Sequence, residues 1–126
     1  INGDLLINLD FEKMLDFHDK YNSNATMSVK DYNIVSPYGE VNLDGADIVS
    51  IEEKPKRKVF VNAGVYILDP KCINLIPKKF YDMPSLFKKI IAKKYKTVSF
   101  PLEEYWLDIG RFNDYKKANL EYNKEF

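Results

Sequence analysis

Cysteine, histidine and tryptophan occur once each in this sequence, as Cys72, His18 and Trp106. A single cysteine excludes an internal disulfide and a cysteine metal cage, and it fits a reducing compartment such as the cytoplasm. A single histidine excludes a paired-histidine metal site. No Ser/His/Asp or Cys/His nucleophile set can be assembled from what remains. No apolar run approaches the roughly 20 residues of a membrane-spanning helix, and no stretch has the layout of a signal peptide. Net charge is also missing. Lys plus Arg number 19 and Asp plus Glu number 19, so the chain as a whole has no field to draw nucleic acid or an anionic membrane. Neither partner is expected.

What is present points to a packed α/β domain. In 126 residues, 45% are hydrophobic and 14% aromatic, enough for one core and too little for two. Asp10 is placed to cap a helix in which Phe11, Met14, Leu15, His18 and Tyr21 recur at three- and four-residue spacing. Ala25 to Lys30 reads as a strand. Asp44-Gly45 between Glu40–Leu43 and Asp47–Glu52 signals a hairpin. Lys54 to Lys58 reads as a loop. Val59 to Leu68 reads as the longest apolar strand, interrupted at Asn62-Ala63-Gly64, where glycine marks a bulge or a close approach. Pro70 opens a short helix reaching Ile76. Asp82 to Tyr95 reads as a helix with Leu86, Ile90 and Ile91 inward and Lys88, Lys89, Lys93 and Lys94 outward. Lys96 to Phe100 is a strand, Glu103 to Leu107 is extended, and Phe112 to Tyr122 closes as a helix. Alternating strands and helices with an added hairpin give a mixed sheet.

Several residues stand where strands run out, the usual place for ligands in open α/β sheets. Asp108 follows Trp106 and precedes Gly110. Asp4 follows Gly3, and Ile1-Asn2-Gly3-Asp4 reads like the end of a strand that began earlier, as in a fragment. Two such carboxylates can share a magnesium ion, which takes oxygen ligands and leaves positions for phosphates. The plainer reading of each is a cap or a turn former. Pro55 pushes Lys54 into an extended backbone, from which it can reach a phosphate, while Glu53 can accept from hydroxyls. The plainer reading is a solvated charge run, which suits Lys56, Arg57 and Lys58. Tyr38-Gly39 and Asn62-Ala63-Gly64 allow backbone N–H groups to approach a ligand, or form ordinary turns. Trp106 can stack on a sugar ring or pack in the core. His18 and Cys72 read as packed residues.

In order and spacing, these stretches resemble the sugar-phosphate nucleotidyltransferase family, which includes mannose-1-phosphate guanylyltransferases and glucose-1-phosphate thymidylyltransferases. The likeness runs from Asn2-Gly3-Asp4 through Phe11–His18, Tyr38-Gly39, Glu53-Lys54-Pro55, Asn62-Ala63-Gly64-Val65-Tyr66 and Tyr81-Asp82-Met83-Pro84 to Trp106-Leu107-Asp108-Ile109-Gly110. It covers nearly the whole chain and is similar to the carboxyl-terminal, sugar-binding half of a Rossmann-like catalytic domain.

The resemblance implies that Asp4 and Asp108 bind Mg2+ and that Lys54 binds the sugar phosphate. It implies that Glu53 binds sugar hydroxyls, and that Tyr38, Gly39, Asn62, Gly64 and Trp106 line the sugar site. The implied partners are a sugar-1-phosphate and a nucleoside triphosphate, with the mannose-1-phosphate branch favoured. The family's Gly-rich loop with its Arg and Lys is not among these residues, so the 126 residues alone are expected to be inactive. They are also expected to self-associate through an apolar sheet edge. The rival expectation is a non-catalytic sugar-phosphate sensor, which would bind equally well without metal.

Overall fold

The computed structural model describes residues 1–126. In chain order the elements are β1 (Leu5–Ile7), α1 (Phe11–Lys20), β2 (Ala25–Val35), β3 (Glu40–Asp44), β4 (Asp47–Glu52) and β5 (Lys56–Leu68). There follow α2 (Pro70–Ile73), α3 (Met83–Ala92), β6 (Thr97–Pro101), β7 (Trp106–Asp108) and α4 (Phe112–Glu125). Two compact units result: residues 1–30 with 62–126, and residues 31–61. No helix is long and apolar enough to cross a membrane.

In the first unit, a three-stranded sheet has the order β5-β2-β6. β2 and β6 are parallel, with Ala25 opposite Thr97 and Val29 opposite Pro101. β5 runs the other way. Asp69 N–H donates to Asn24 O at 2.9 Å, and further along Val65 N–H donates to Ser28 Oγ at 3.1 Å. The sheet is therefore mixed, as the sequence leads one to expect. The period of two along β5 sends alternate residues to two cores. Ala63 and Val65 join Leu9, Met14 and Leu102 on one face. Tyr66 and Leu68 pack on the other against Cys72, Leu86, Phe87 and Ile90. β1 and β7 form a separate antiparallel ribbon.

The helices form where the caps predict. Asp10 accepts from Lys13 N–H at 3.1 Å and opens α1. Asp82 accepts from Ser85 N–H at 2.8 Å and opens α3, and the bonds from Ser85 hold its carboxyl below the ordinary range. Two inward faces differ from expectation. In α1 only Met14 and His18 are buried, while Phe11, Leu15 and Tyr21 are exposed. In α3 the buried stripe is Leu86, Phe87 and Ile90, which leaves Ile91 59% exposed. Periodicity alone allowed either Phe87 or Ile91 beside the pair at i and i+4.

The second unit is the hairpin with the adjoining parts of β2 and β5. Gly45, at φ +59°, makes its turn. The register shifts between Asn42 and Leu43, so Asn42 faces Ser50 but Leu43 faces Ile48. This bulge keeps Val41, Leu43, Ile48 and Ile51 on one side. Lys56 to Lys58, read from sequence as loop, instead begin β5. Arg57 pairs with Glu40 and Lys58 with Asp31, both at 3.2 Å. Strand pairing is a non-local fact that a local charge run conceals.

A polar clasp, buried at His18 and Thr26 and half-buried at Asn24 and Asp69, joins α1, β2 and the start of α2. His18 is 5% exposed. Its Nδ1 lies 2.7 Å from Thr26 Oγ1 and its Nε2 lies 3.0 Å from Asp69 Oδ1. Asn24 Nδ2 donates to the other Asp69 oxygen at 3.1 Å. The hydrogen bond from His18, then that from Asn24, hold the Asp69 carboxyl below the ordinary carboxylate range. A carboxyl so lowered stabilises the fold above its ordinary pKa, and that contribution fades as pH falls through the lowered value. Asp69→Ala removes the acceptor from buried His18 and half-buried Asn24, and with the carboxylate partly solvated it is expected to cost about 1 kcal/mol in urea denaturation at neutral pH. The deficit should shrink on acidification toward that lowered value. An unchanged midpoint would contradict the clasp.

Candidate functional site

The site begins with Gly64, whose φ of +83° places it in the left-handed region open to glycine. Three hydrogen bonds hold the chain there. Trp106 Nε1 donates to Ala63 O at 2.9 Å. Asn2 N–H donates to Gly64 O at 2.8 Å. Gly64 N–H donates to Asn62 Oδ1 at 2.9 Å. The Asn62 amide also bonds the Tyr66 hydroxyl, with Nδ2 2.8 Å away. A Cβ on Gly64 would stand 2.8 Å from both Asn2 Nδ2 and Leu5 Cδ1. So the glycine serves close packing against the first strand as well as its turn. Its N–H, expected to reach outward, is held by Asn62. Trp106 is half-buried against the Leu9–Met14–Leu102 core and spends its N–H on the backbone, as its packing reading anticipates.

The acidic pair adjoins this bulge. β1 and β7 pair antiparallel, with Leu5 opposite Asp108 and Ile7 opposite Trp106. Ile109 N–H donates to Asp4 O at 2.8 Å and extends the ribbon by one step. Asp108 ends its strand as expected. Asp4 does not end one: it sits in the turn that leads into β1. The outcome is nonetheless one shared edge, because antiparallel pairing lays the start of β1 beside the finish of β7. Both carboxylates are exposed, and neither is bound to another side chain. Asp108 Oδ2 lies near Gly110, where a Cβ would come within 3.7 Å. No group of three or more His, Cys, Asp or Glu forms here. Two carboxylates without side-chain partners are the oxygen donors that a magnesium ion takes, the rest of its shell being water and phosphate.

Tyr105, just before β7, anchors the ribbon to α4 through Glu121. Burial first, then the Glu121 bond, push its hydroxyl up to about 12. It stays a neutral donor across the physiological range.

Tyr38, Gly39, Glu53 and Lys54 belong to the second unit and form their own group. Gly39 lies against the Glu53 carboxylate, where a Cβ would come within 3.2 Å of Oε2. Tyr38 is exposed, and its carbonyl accepts from Ser36 Oγ at 3.1 Å. Lys54 is not extended as Pro55 suggested: its φ is +45°. A non-glycine residue in that region, directly before proline, is strained, and such strain gathers at functional positions. Asn2 and Tyr66 were absent from the sequence-derived site. Asn2 lies within Asn2-Gly3-Asp4 and Tyr66 within Asn62–Tyr66, so their position is legible in the sequence while their role is not.

An α/β domain with a glycine bulge beside an acidic strand edge is thus defined. A family model described as nucleotidyl transferase matches residues 1–125, and the chain belongs to that family. It is 31% identical over 127 residues to the mannose-1-phosphate guanyltransferase of Saccharomyces cerevisiae, covering 97% of this chain and 35% of that one. It is 30% identical over 125 residues to the D-glycero-alpha-D-manno-heptose 1-phosphate guanylyltransferase of Aneurinibacillus thermoaerophilus, covering 96% and 54%. The crystal structure of HddC from Yersinia pseudotuberculosis superposes with a TM-score of 0.62 at 28% identity, covering 97% and 53%. The chain thus spans between a third and about half the length of these relatives.

Gly64→Ala tests the bulge. Left-handed backbone costs an L-residue about 1–2 kcal/mol, and the contacts with Asn2 and Leu5 add to it. A loss of about 2–3 kcal/mol is expected in urea denaturation. A neutral or stabilising effect would show that the loop relaxes freely.

Proposed function

We propose that this chain supplies the sugar-phosphate and metal side of a nucleotidyl transfer site, acting with GTP on a manno-configured sugar-1-phosphate. The reading rests on one observation above the others: β1 and β7 set Asp4 and Asp108 at one edge, tied through Asn2 to the Gly64 bulge. The relatives named for mannose 1-phosphate and manno-heptose 1-phosphate, both guanylyl transferases, support the choice of sugar and base.

Asp4 and Asp108 would hold Mg2+. The ion, when bound, neutralises phosphate charge as the sugar phosphate oxygen bonds to the α-phosphorus and the bond to pyrophosphate breaks. Lys54 places a point charge on the sugar phosphate. Glu53 accepts hydrogen bonds from sugar hydroxyls, with Gly39 leaving room beside its carboxylate. Asn62, Gly64 and Trp106 form a rigid wall, and Tyr38 borders the second group. Little covalent chemistry falls to these residues; they position reactants and balance charge.

Calorimetric titration with mannose 1-phosphate tests this. Affinity should rise about tenfold on adding magnesium, which corresponds to about 1.4 kcal/mol. Asp108→Asn should abolish the difference while leaving the fold intact by circular dichroism. Binding that ignores magnesium would overturn the metal assignment and leave a sugar-phosphate-binding module.

A further inference from the structure

The zero net charge conceals a sharp segregation. Between Pro70 and Lys96 lie eight lysines, one acidic residue, Asp82, and no arginine. The surplus of seven positive charges in that stretch is balanced by acids scattered over the rest of the chain. All eight lysines are exposed. They also share one place in the fold. α2 and α3 pack together through Cys72, Leu86, Phe87 and Ile90, with Leu75, Tyr81 and Tyr95 around them. Lys71 Nζ lies 4.3 Å from the centre of the Tyr95 ring. Lys89 Nζ donates to Leu75 O at 3.0 Å and lies 5.8 Å from the centre of the Tyr81 ring. On α3, Lys88 leaves from the side away from the buried stripe.

Large apolar side chains are exposed among these lysines. Phe80 is 91% exposed, and Ile73 and Ile91 are more than half exposed. Phe80 stands in the segment between α2 and α3, and Ile73 and Ile91 stand on the two helices; lysines beside exposed Phe and Ile suit a surface that meets a lipid interface. The apolar groups enter the boundary and the ammonium groups meet anionic headgroups. The composition argues against nucleic acid. Arginine, the residue that reads phosphate and base edges with a planar fork, is absent, and Phe80 is the only fully displayed aromatic group for stacking.

We propose that the α2–α3 layer is a docking surface for an anionic lipid bilayer, engaged by lysine charge and anchored by Phe80 and Ile91. This is independent of the transfer site, which lies on other elements.

Co-sedimentation with vesicles of phosphatidylglycerol and phosphatidylcholine in equal parts, against pure phosphatidylcholine, tests it. The chain should pellet with the anionic vesicles alone, and rising salt should release it as the charges are screened. Lys88→Glu, Lys93→Glu and Lys94→Glu together should weaken binding about a hundredfold, since each lysine near such a surface contributes severalfold. Those side chains are exposed, so circular dichroism should be unchanged. Phe80→Ser with Ile91→Ser should leave salt-sensitive binding that is weaker and faster to dissociate. The proposal is overturned if the charge-reversed variant pellets as well as the parent. It is equally overturned if neither vesicle retains the chain, or if a DNA duplex binds more tightly than the anionic vesicles.

Discussion

The backbone turn at Ala63-Gly64 is the constraint on which the rest of the site depends. A strand buried on both faces ordinarily runs straight. Here Gly64 takes a left-handed conformation, and the turn is held by one hydrogen bond each from Trp106 to Ala63 O, from Asn2 to Gly64 O and from Gly64 N–H to Asn62. Those three bonds come from the ribbon strand β7, from the start of the chain and from β5 itself. The turn therefore locks the β1–β7 ribbon to the central sheet. The ribbon in turn carries Asp4 and Asp108. Position of the acidic edge is thus set by packing around a residue that bears no side chain.

Hydrogen bonding and burial then fix what each polar group is free to do. Trp106 and Asn62 are committed to the backbone, so they shape a wall. His18, the one histidine, is committed between Thr26 and Asp69 and serves the core. The Cys72 thiol is buried, and burial raises its pKa, which keeps it protonated and inert. The Asp4 and Asp108 carboxylates remain without protein partners. On the proposed reading, these are the oxygens offered to the divalent ion.

Much of this was legible in the sequence because its cause is local. Asp10 and Asp82 announce their helices by capping, Asp44-Gly45 announces the hairpin, and the glycine of Asn62-Ala63-Gly64 announces an interruption. The likeness in order and spacing carried the family. What stayed hidden was non-local. Asp4 reads as the end of a strand because nothing nearby reveals that Leu5–Ile7 pairs with Trp106–Asp108. Lys56 to Lys58 read as loop because their strand partners lie far away in the chain. Ile91 and Phe87 exchange roles because a short helix fixes its phase only against its neighbours. Lys54 reads as extended before proline, yet adopts a strained φ of +45°. The segregation of lysines was present in the sequence, but a total charge of zero averages it away.

The claim on which the functional account turns is that the edge shared by Asp4 and Asp108 is where the divalent ion binds. Manganese can stand in for magnesium on hard oxygen ligands, and its unpaired electrons broaden nearby resonances. The direct measurement is an amide proton–nitrogen spectrum of the isotopically labelled chain with mannose 1-phosphate, titrated with substoichiometric manganese. The account predicts that Asp4, Ile109 and Gly110 broaden first. Broadening centred instead on His18, Asn24 and Asp69, or spread evenly over exposed carboxylates, would contradict it.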